Sequence, residues 1–213
     1  MAATGSALPT FSYGTKPLTP MMGDWDGDGL KTVGTFESGT FKLNNQNDDS
    51  APELTFTFGD PRAYAVAGDY DGNGVDDVAL YRTGTWQIRY LGPDARTDQT
   101  FTLAAPFGQG IWPKTVPVAG DWDGDGIDGI GTVIPSTASW VLKNTVGAGS
   151  PDIGPFTFGP AGAYPVIGDW GGNGFDTPGY RVGTTWTVRT DAVTIGATST
   201  FDFGVANSVP FSW

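Results

Sequence analysis

The sequence predicts an all-β fold: a β-propeller of four-stranded blades, with four blade repeats in the chain. Three observations predict it. An Asp/Gly-rich heptapeptide occurs four times, as GDWDGDG at 23–29, GDYDGNG at 68–74, GDWDGDG at 120–126 and GDWGGNG at 168–174. Its first aspartates, Asp24, Asp69, Asp121 and Asp169, are 45, 52 and 48 residues apart. An aromatic–Gly pair returns at a matching interval: Tyr13-Gly14, Phe58-Gly59, Phe107-Gly108, Phe158-Gly159 and Phe203-Gly204 are spaced by 45, 49, 51 and 45 residues. Between these marks apolar residues alternate with period two, and no stretch combines a 3.6-residue period with helix caps.

Each repeat reads as four short strands. The first is a small apolar run entering the Asp loop, as Pro117-Val118-Ala119 or Pro165-Val166-Ile167. The second leaves the loop, as Val78-Ala79-Leu80-Tyr81. The third places Trp86, Ile88 and Tyr90 on one face and Gln87 and Arg89 on the other; Phe41/Leu43, Trp140/Leu142 and Trp186/Val188 repeat it. The fourth alternates as Phe56/Phe58, Phe156/Phe158 and Phe201/Phe203. One domain, 1–213, then holds repeats at about 15–59, 60–108, 109–159 and 160–204, with partial strands at 9–14 and 205–213. A single blade cannot bury both faces, so neighbours must stack, and aromatics at fixed positions supply that packing. A flat solenoid or a row of small sandwiches is the alternative, and blade length and aromatic placement favour the propeller.

Composition narrows the chemistry. The chain has no Cys and no His, which excludes disulfides, thiolate metal sites, Cys nucleophiles and a Ser–His–Asp triad. A net charge of −12 argues against a nucleic-acid partner or an anionic membrane surface. No apolar run is long enough to insert in a bilayer. The N-terminus MAATGSALPTFSYG has neither the basic nor the apolar part of a signal peptide.

Thirteen of the 23 acids lie in the four Asp loops. Calcium takes six to eight hard oxygens, and a short loop supplies them when alternate side chains turn inward and glycines allow the curl. Counted from the first Asp, positions 1, 3 and 5 of the second loop are Asp69, Asp71 and Asn73, with Asp77 at position 9. The first loop offers Asp24, Asp26 and Asp28, and the third Asp121, Asp123 and Asp125. Thr32 and Gly129 stand at their ninth positions, and Asp128, at position 8, is a candidate helper of the third loop. In the fourth loop Gly171 replaces the position-3 acid, leaving Asp169, Asn173 and Asp176, and weak or absent metal binding is expected there. Two like charges about 4 Å apart repel by roughly 4 kcal/mol at an effective dielectric near 20. Three converging carboxylates therefore call for a cation. The plainer reading of one such loop is a β-turn whose carboxylate caps backbone N–H groups.

With DYDGNGVDD at 69–77 and Phe–Gly pairs such as PFTFG at 155–159, nearly the whole chain resembles the FG-GAP repeats of integrin α-subunit propellers and related bacterial and fungal propellers. The resemblance implies Ca2+ in loops that join the first and second strands, with Asp69, Asp71, Asn73 and Asp77 as ligands and a backbone carbonyl from Val75. Only Asp24, Asp26, Asp28, Asp121, Asp123 and Asp125 carry over in the partial matches. Integrin-type propellers have more and longer repeats, so three arrangements are open. Four blades close alone, two chains complete a larger ring as a homodimer, or the chain is part of a longer protein.

The leading expectation is a non-enzymatic, calcium-stabilised scaffold or binding module for a protein or other ligand, extracellular or secreted. A glycan-binding lectin is the alternative. Trp86, Trp140 and Trp186 are conceivable sugar platforms but read better as core, while Trp112 in GQGIWPK is a better candidate for an exposed contact. An enzyme using paired carboxylates is the third reading; only Glu37 and Glu53 are glutamates, and no motif marks a catalytic pair.

Overall fold

The structure, a computed structural model, describes residues 10–14, 18–93, 96–103 and 115–205. Among these residues sixteen strands form four antiparallel sheets of four, each strand bonded to the next in sequence. The sheets are the blades of a four-bladed β-propeller. Blade 1 comprises β1 (Thr19–Gly23), β2 (Thr32–Glu37), β3 (Thr40–Leu43) and β4 (Leu54–Thr57). Blade 2 comprises β5 (Tyr64–Gly68), β6 (Asp77–Arg82), β7 (Thr85–Arg89) and β8 (Gln99–Thr102). Blade 3 comprises β9 (Val116–Gly120), β10 (Gly129–Ile134), β11 (Ser139–Lys143) and β12 (Ile153–Thr157). Blade 4 comprises β13 (Tyr164–Gly168), β14 (Thr177–Val182), β15 (Thr185–Arg189) and β16 (Thr198–Asp202).

Short turns fix the registers. In blades 1 and 2 the second and third strands are joined by Ser38-Gly39 and Thr83-Gly84, whose φ angles are 49° and 90°, and 48° and 88°. Positive φ at both positions gives a hairpin turn whose twist matches that of the strands. The pairs Phe36↔Phe41 and Tyr81↔Trp86 follow. The second aromatic of each fourth strand lies just beyond it, its N–H bonded back to the preceding hairpin: Phe58 to Gly39 O (2.9 Å), Phe158 to Ala138 O (3.0 Å), Phe203 to Thr184 O (2.9 Å). In blade 2 the residue that makes this bond is Leu103, to Gly84 O at 2.9 Å. The equivalence drawn from Phe107-Gly108 is thereby corrected, and that pair lies outside the described residues, as do Trp112 and 206–213.

The core sits between blades. Met21, Trp25, Phe36, Phe41 and Leu43 of blade 1 pack on Ala63, Ala65, Val78 and Leu80 of blade 2. Tyr70, Tyr81, Trp86 and Ile88 of blade 2 pack on Ile130 and Val141 of blade 3. Val118, Trp122, Val133 and Trp140 of blade 3 meet Ile167 and Val193 of blade 4. Trp86 and Trp140 are 0% and 1% exposed and Trp186 9%, so these tryptophans are core and not sugar platforms. A guanidinium clamps two junctions: Arg89 lies 4.5 Å from the ring centre of Phe58, and Arg189 4.2 Å from that of Phe158. Such contacts add about 0.5–2 kcal/mol. The first strands, β1, β5, β9 and β13, stand side by side in that order and line an axial cavity of about 710 Å³.

Candidate metal centre

In every loop the first aspartate curls the backbone around itself. Asp69 Oδ1 accepts the N–H groups of Gly72 (2.8 Å) and Asn73 (3.1 Å), and Oδ2 accepts that of Gly74 (2.9 Å). Asp24 binds Gly27, Asp28 and Gly29 in the same way, and Asp121 and Asp169 hold their own loops similarly. The fourth and sixth loop positions need glycine because both take positive φ, 75° and 86° at Gly72 and Gly74. The turn-capping role is thus real. It leaves further lone pairs on each carboxylate, since each oxygen accepts more than one bond.

Three loops also bring acids together. One oxygen each from Asp24, Asp26 and Asp28, from Asp69, Asp71 and Asp77, and from Asp121, Asp123 and Asp125 lie within 4.8 Å of one another. The second cluster is the most enclosed. Asp71 has a side chain only 2% exposed, and its Oδ1 has no hydrogen-bond partner. Asp77, fully buried at the start of β6, accepts N–H bonds from Leu91 (2.7 Å) and Tyr70 (3.2 Å). Burial, with the charges of Asp71 and Asp69 added, pushes Asp77 up to about 8 against those two donors. Asn73 is locked, its Oδ1 accepting from Val75 N–H and its Nδ2 donating to Leu91 O. Arg96 reaches over the cluster, its Nε 3.3 Å from Asp71 Oδ2. The donor set is all hard oxygen, and an orphaned buried carboxylate oxygen faces it, so the residues present fit a calcium ion.

The other loops differ. Asp26, Asp28, Asp123 and Asp125 are exposed. Beside the third loop Asn144 donates to Asp123 and leaves its own buried Oδ1 without a partner. Sequence did not single out Asn144, because the residues at the matching place after the other third strands, Asn45, Tyr90 and Thr190, show no single repeated type. In the fourth loop a Cβ on Gly171 would stand 2.0 Å from the carbonyl oxygen of Thr190. A position-3 carboxylate has no room there.

The acids at position 8 have a different task, one that sequence did not assign. Asp76 Oδ2 accepts the N–H of Asp24 (3.0 Å), while its own N–H donates to Asp24 O (2.7 Å). Asp128 makes the same pair of bonds to Asp69 (2.8 and 2.8 Å), and Asp176 to Asp121 (3.1 and 2.6 Å). Each acid thus latches its loop to the loop of the preceding blade. Asp128 serves the second loop's backbone and does not join the third loop's cluster, which corrects the expected helper role. The signal was available: Asp76, Asp128 and Asp176 each follow the first Asp of their loop by seven residues. At that position the first loop carries Lys31, which pairs with Asp76. The three carboxylates and Lys31 border one end of the axial cavity. Burial pushes Asp128 up to about 8, Asp176 up to about 6 and Asp76 above its ordinary value, with Lys31 opposing the rise in each case.

No family model matches the chain, and no curated protein matches it. Among solved structures the chain is similar to a lectin of Agrocybe aegerita described by its specific recognition of non-reducing terminal N-acetylglucosamine. The TM-score is 0.54 at 14% identity, over 85% of this chain and 52% of the lectin. A second match is the Tc holotoxin pore of Photorhabdus luminescens, with a TM-score of 0.49 at 16% identity, over 95% of this chain and 10% of that one. The chain spans about half the length of the lectin. At these identities the likeness is one of fold.

Proposed function

We propose that this chain is a non-enzymatic binding module, a propeller of the FG-GAP type whose Asp loops take calcium and which works outside cells. The buried, unpartnered Asp71 Oδ1 among Asp69, Asp77 and Asn73 carries this reading. Carboxylates gathered this closely repel until a divalent ion balances them. A bound ion would tie the entry to β6 to the curled loop. At 1,000 times its dissociation constant it would add about 4 kcal/mol of stability. Asp69, Asp71, Asn73 and Asp77 would hold it, with the carbonyl of Val75 as the resemblance implies. The exposed clusters of loops 1 and 3 would bind more weakly. The carboxylates with raised pKa at the axis are tied to backbone N–H groups across blade junctions, which gives them a structural task without catalysis. Calorimetric titration with calcium tests the reading. Asp71→Asn should remove the tightest binding step, and a wild-type chain that takes up no heat-detectable calcium would end it.

A glycan is the second reading for the ligand, favoured by the lectin fold the chain shares. Binding of N-acetylglucosamine belongs to that lectin, and here a glycan array decides. Loss of every signal at high protein density would leave a protein partner as the ligand class.

A further inference from the structure

Blade 1 carries a short segment that copies the end of a blade. Phe11-Ser12-Tyr13-Gly14 has the aromatic-x-aromatic-Gly form of Phe56–Gly59, Phe156–Gly159 and Phe201–Gly204, and Gly14 takes the positive φ of those glycines (74°, against 67°, 100° and 82°). It is also seated like them. A Cβ on Gly59 would stand 2.4 Å from Leu80 of blade 2, and one on Gly159 2.8 Å from Tyr180 of blade 4. One on Gly14 would stand 2.4 Å from Leu18, which leads into β1, and 3.3 Å from Thr35 of blade 1. Thr35, Leu80 and Tyr180 hold the same rung, opposite Pro20, Ala65 and Pro165. Tyr13 is held above its ordinary pKa by burial and then by the charge of Glu53. Glu53 immediately precedes β4 as Asp98 precedes β8, beside the Arg89 that covers Phe58. Tyr13 and Gly14 therefore sit on the face of blade 1 that a preceding blade would cover, Phe11 being 40% exposed.

Blade 4 shows the matching surplus. Phe203 is 60% exposed, whereas Leu103 at the same position is 1% exposed and Phe58 and Phe158 are half-buried. Val182, the last residue of β14, is 51% exposed. Among the described residues two segments of one design thus exist for the acceptor face on blade 1, and Phe203 of the second is left exposed.

We propose that the acceptor face of blade 1 docks Phe201–Gly204 of a second copy, with Phe11–Gly14 acting as a built-in plug that must leave first. The occupant is a second copy because the contact is the blade-to-blade interface already present three times in this chain. That interface is heterologous, one face of a blade against the other face of the next, so identical copies can extend it. A tethered plug competes at an effective concentration of about a millimolar. Association of the wild-type chain is therefore suppressed at micromolar concentration.

The test is light-scattering mass on the full chain across a concentration series. The double variant Phe11→Asp/Tyr13→Asp should gain mass toward two copies or more while the wild type stays at one. Adding Phe203→Asp should return it to one. A plug variant that keeps single-copy mass throughout overturns the proposal, as does association that ignores Phe203→Asp. Because the variant could unfold, a crosslinking arm uses a chain that has no cysteine of its own. The double variant Thr35→Cys/Gly204→Cys is oxidised at about millimolar concentration, where a second copy matches the tethered plug. A disulfide between two chains is expected. No crosslink overturns the proposal, and so does closure of both cysteines within one chain at single-copy mass, which would mean that the ring shuts on itself.

Discussion

Replacing Lys31 by Met tests the axial latch most sharply. Lys31 is the cation facing Asp76, and its charge also lowers the pKa of Asp128 and Asp176. Removing one partner of a buried ion pair costs about 3–5 kcal/mol. Asp76 is 4% exposed but Lys31 is 38% exposed, so solvent screening brings the figure down to about 2 kcal/mol. For a chain of this length that is a fall in Tm of roughly 4–8 °C. The pH dependence gives the sign. A carboxyl whose folded pKa is raised binds protons in the folded state that the unfolded chain has already released. Its contribution to stability is therefore fullest below about pH 4 and is lost as pH rises through the folded value. For Asp176 and Asp128 that window closes at about 6 and about 8. Without Lys31 the cost of ionising the ring grows, so the deficit of Lys31→Met should be small at pH 5 and largest at pH 9. Thermal melts of both proteins in calcium-free buffer across this range decide it. A deficit of equal size at pH 5 and pH 9, or none, would refute the reasoning.

Arg96→Ala should tighten calcium binding at the second loop roughly fivefold, because it removes a competing cation worth about 1 kcal/mol in a watery setting; unchanged calorimetric affinity would show that Arg96 does not compete. Gly171→Asp should lower stability by roughly 2 kcal/mol or more without adding a bound ion, since the new side chain meets the Thr190 carbonyl. Denaturant melts and ion stoichiometry read both effects. Trp86→Ala should cost roughly 3–5 kcal/mol through loss of core packing, by the same amount with and without calcium. A cost that appeared only in calcium would place Trp86 in the ion's service.

The repeat made the architecture legible. The interval between Asp24 and Asp69, and the alternation of Trp86, Ile88 and Tyr90, were enough to place four strands per blade, because period two and turn glycines are local signals. The clusters at Asp69, Asp71 and Asp77 were legible for the same reason, the spacing within one loop being fixed by its curl. Sequence failed where a residue serves a neighbouring blade. Asp128 looked like a helper of its own loop, yet its carboxylate holds the N–H of Asp69, 59 residues away. Asn144 joins the third cluster from the end of a different strand, and nothing in its own segment marks it. Leu103 takes the place of an aromatic in blade 2, and the nearby Phe107-Gly108 drew the pattern off register.

The account rests on metal among the loop carboxylates, and the most direct measurement is an anomalous difference map from crystals grown with calcium. A peak coordinated by Asp69, Asp71, Asn73 and Asp77 is the predicted result. A well-ordered second loop with only water among those residues would contradict it.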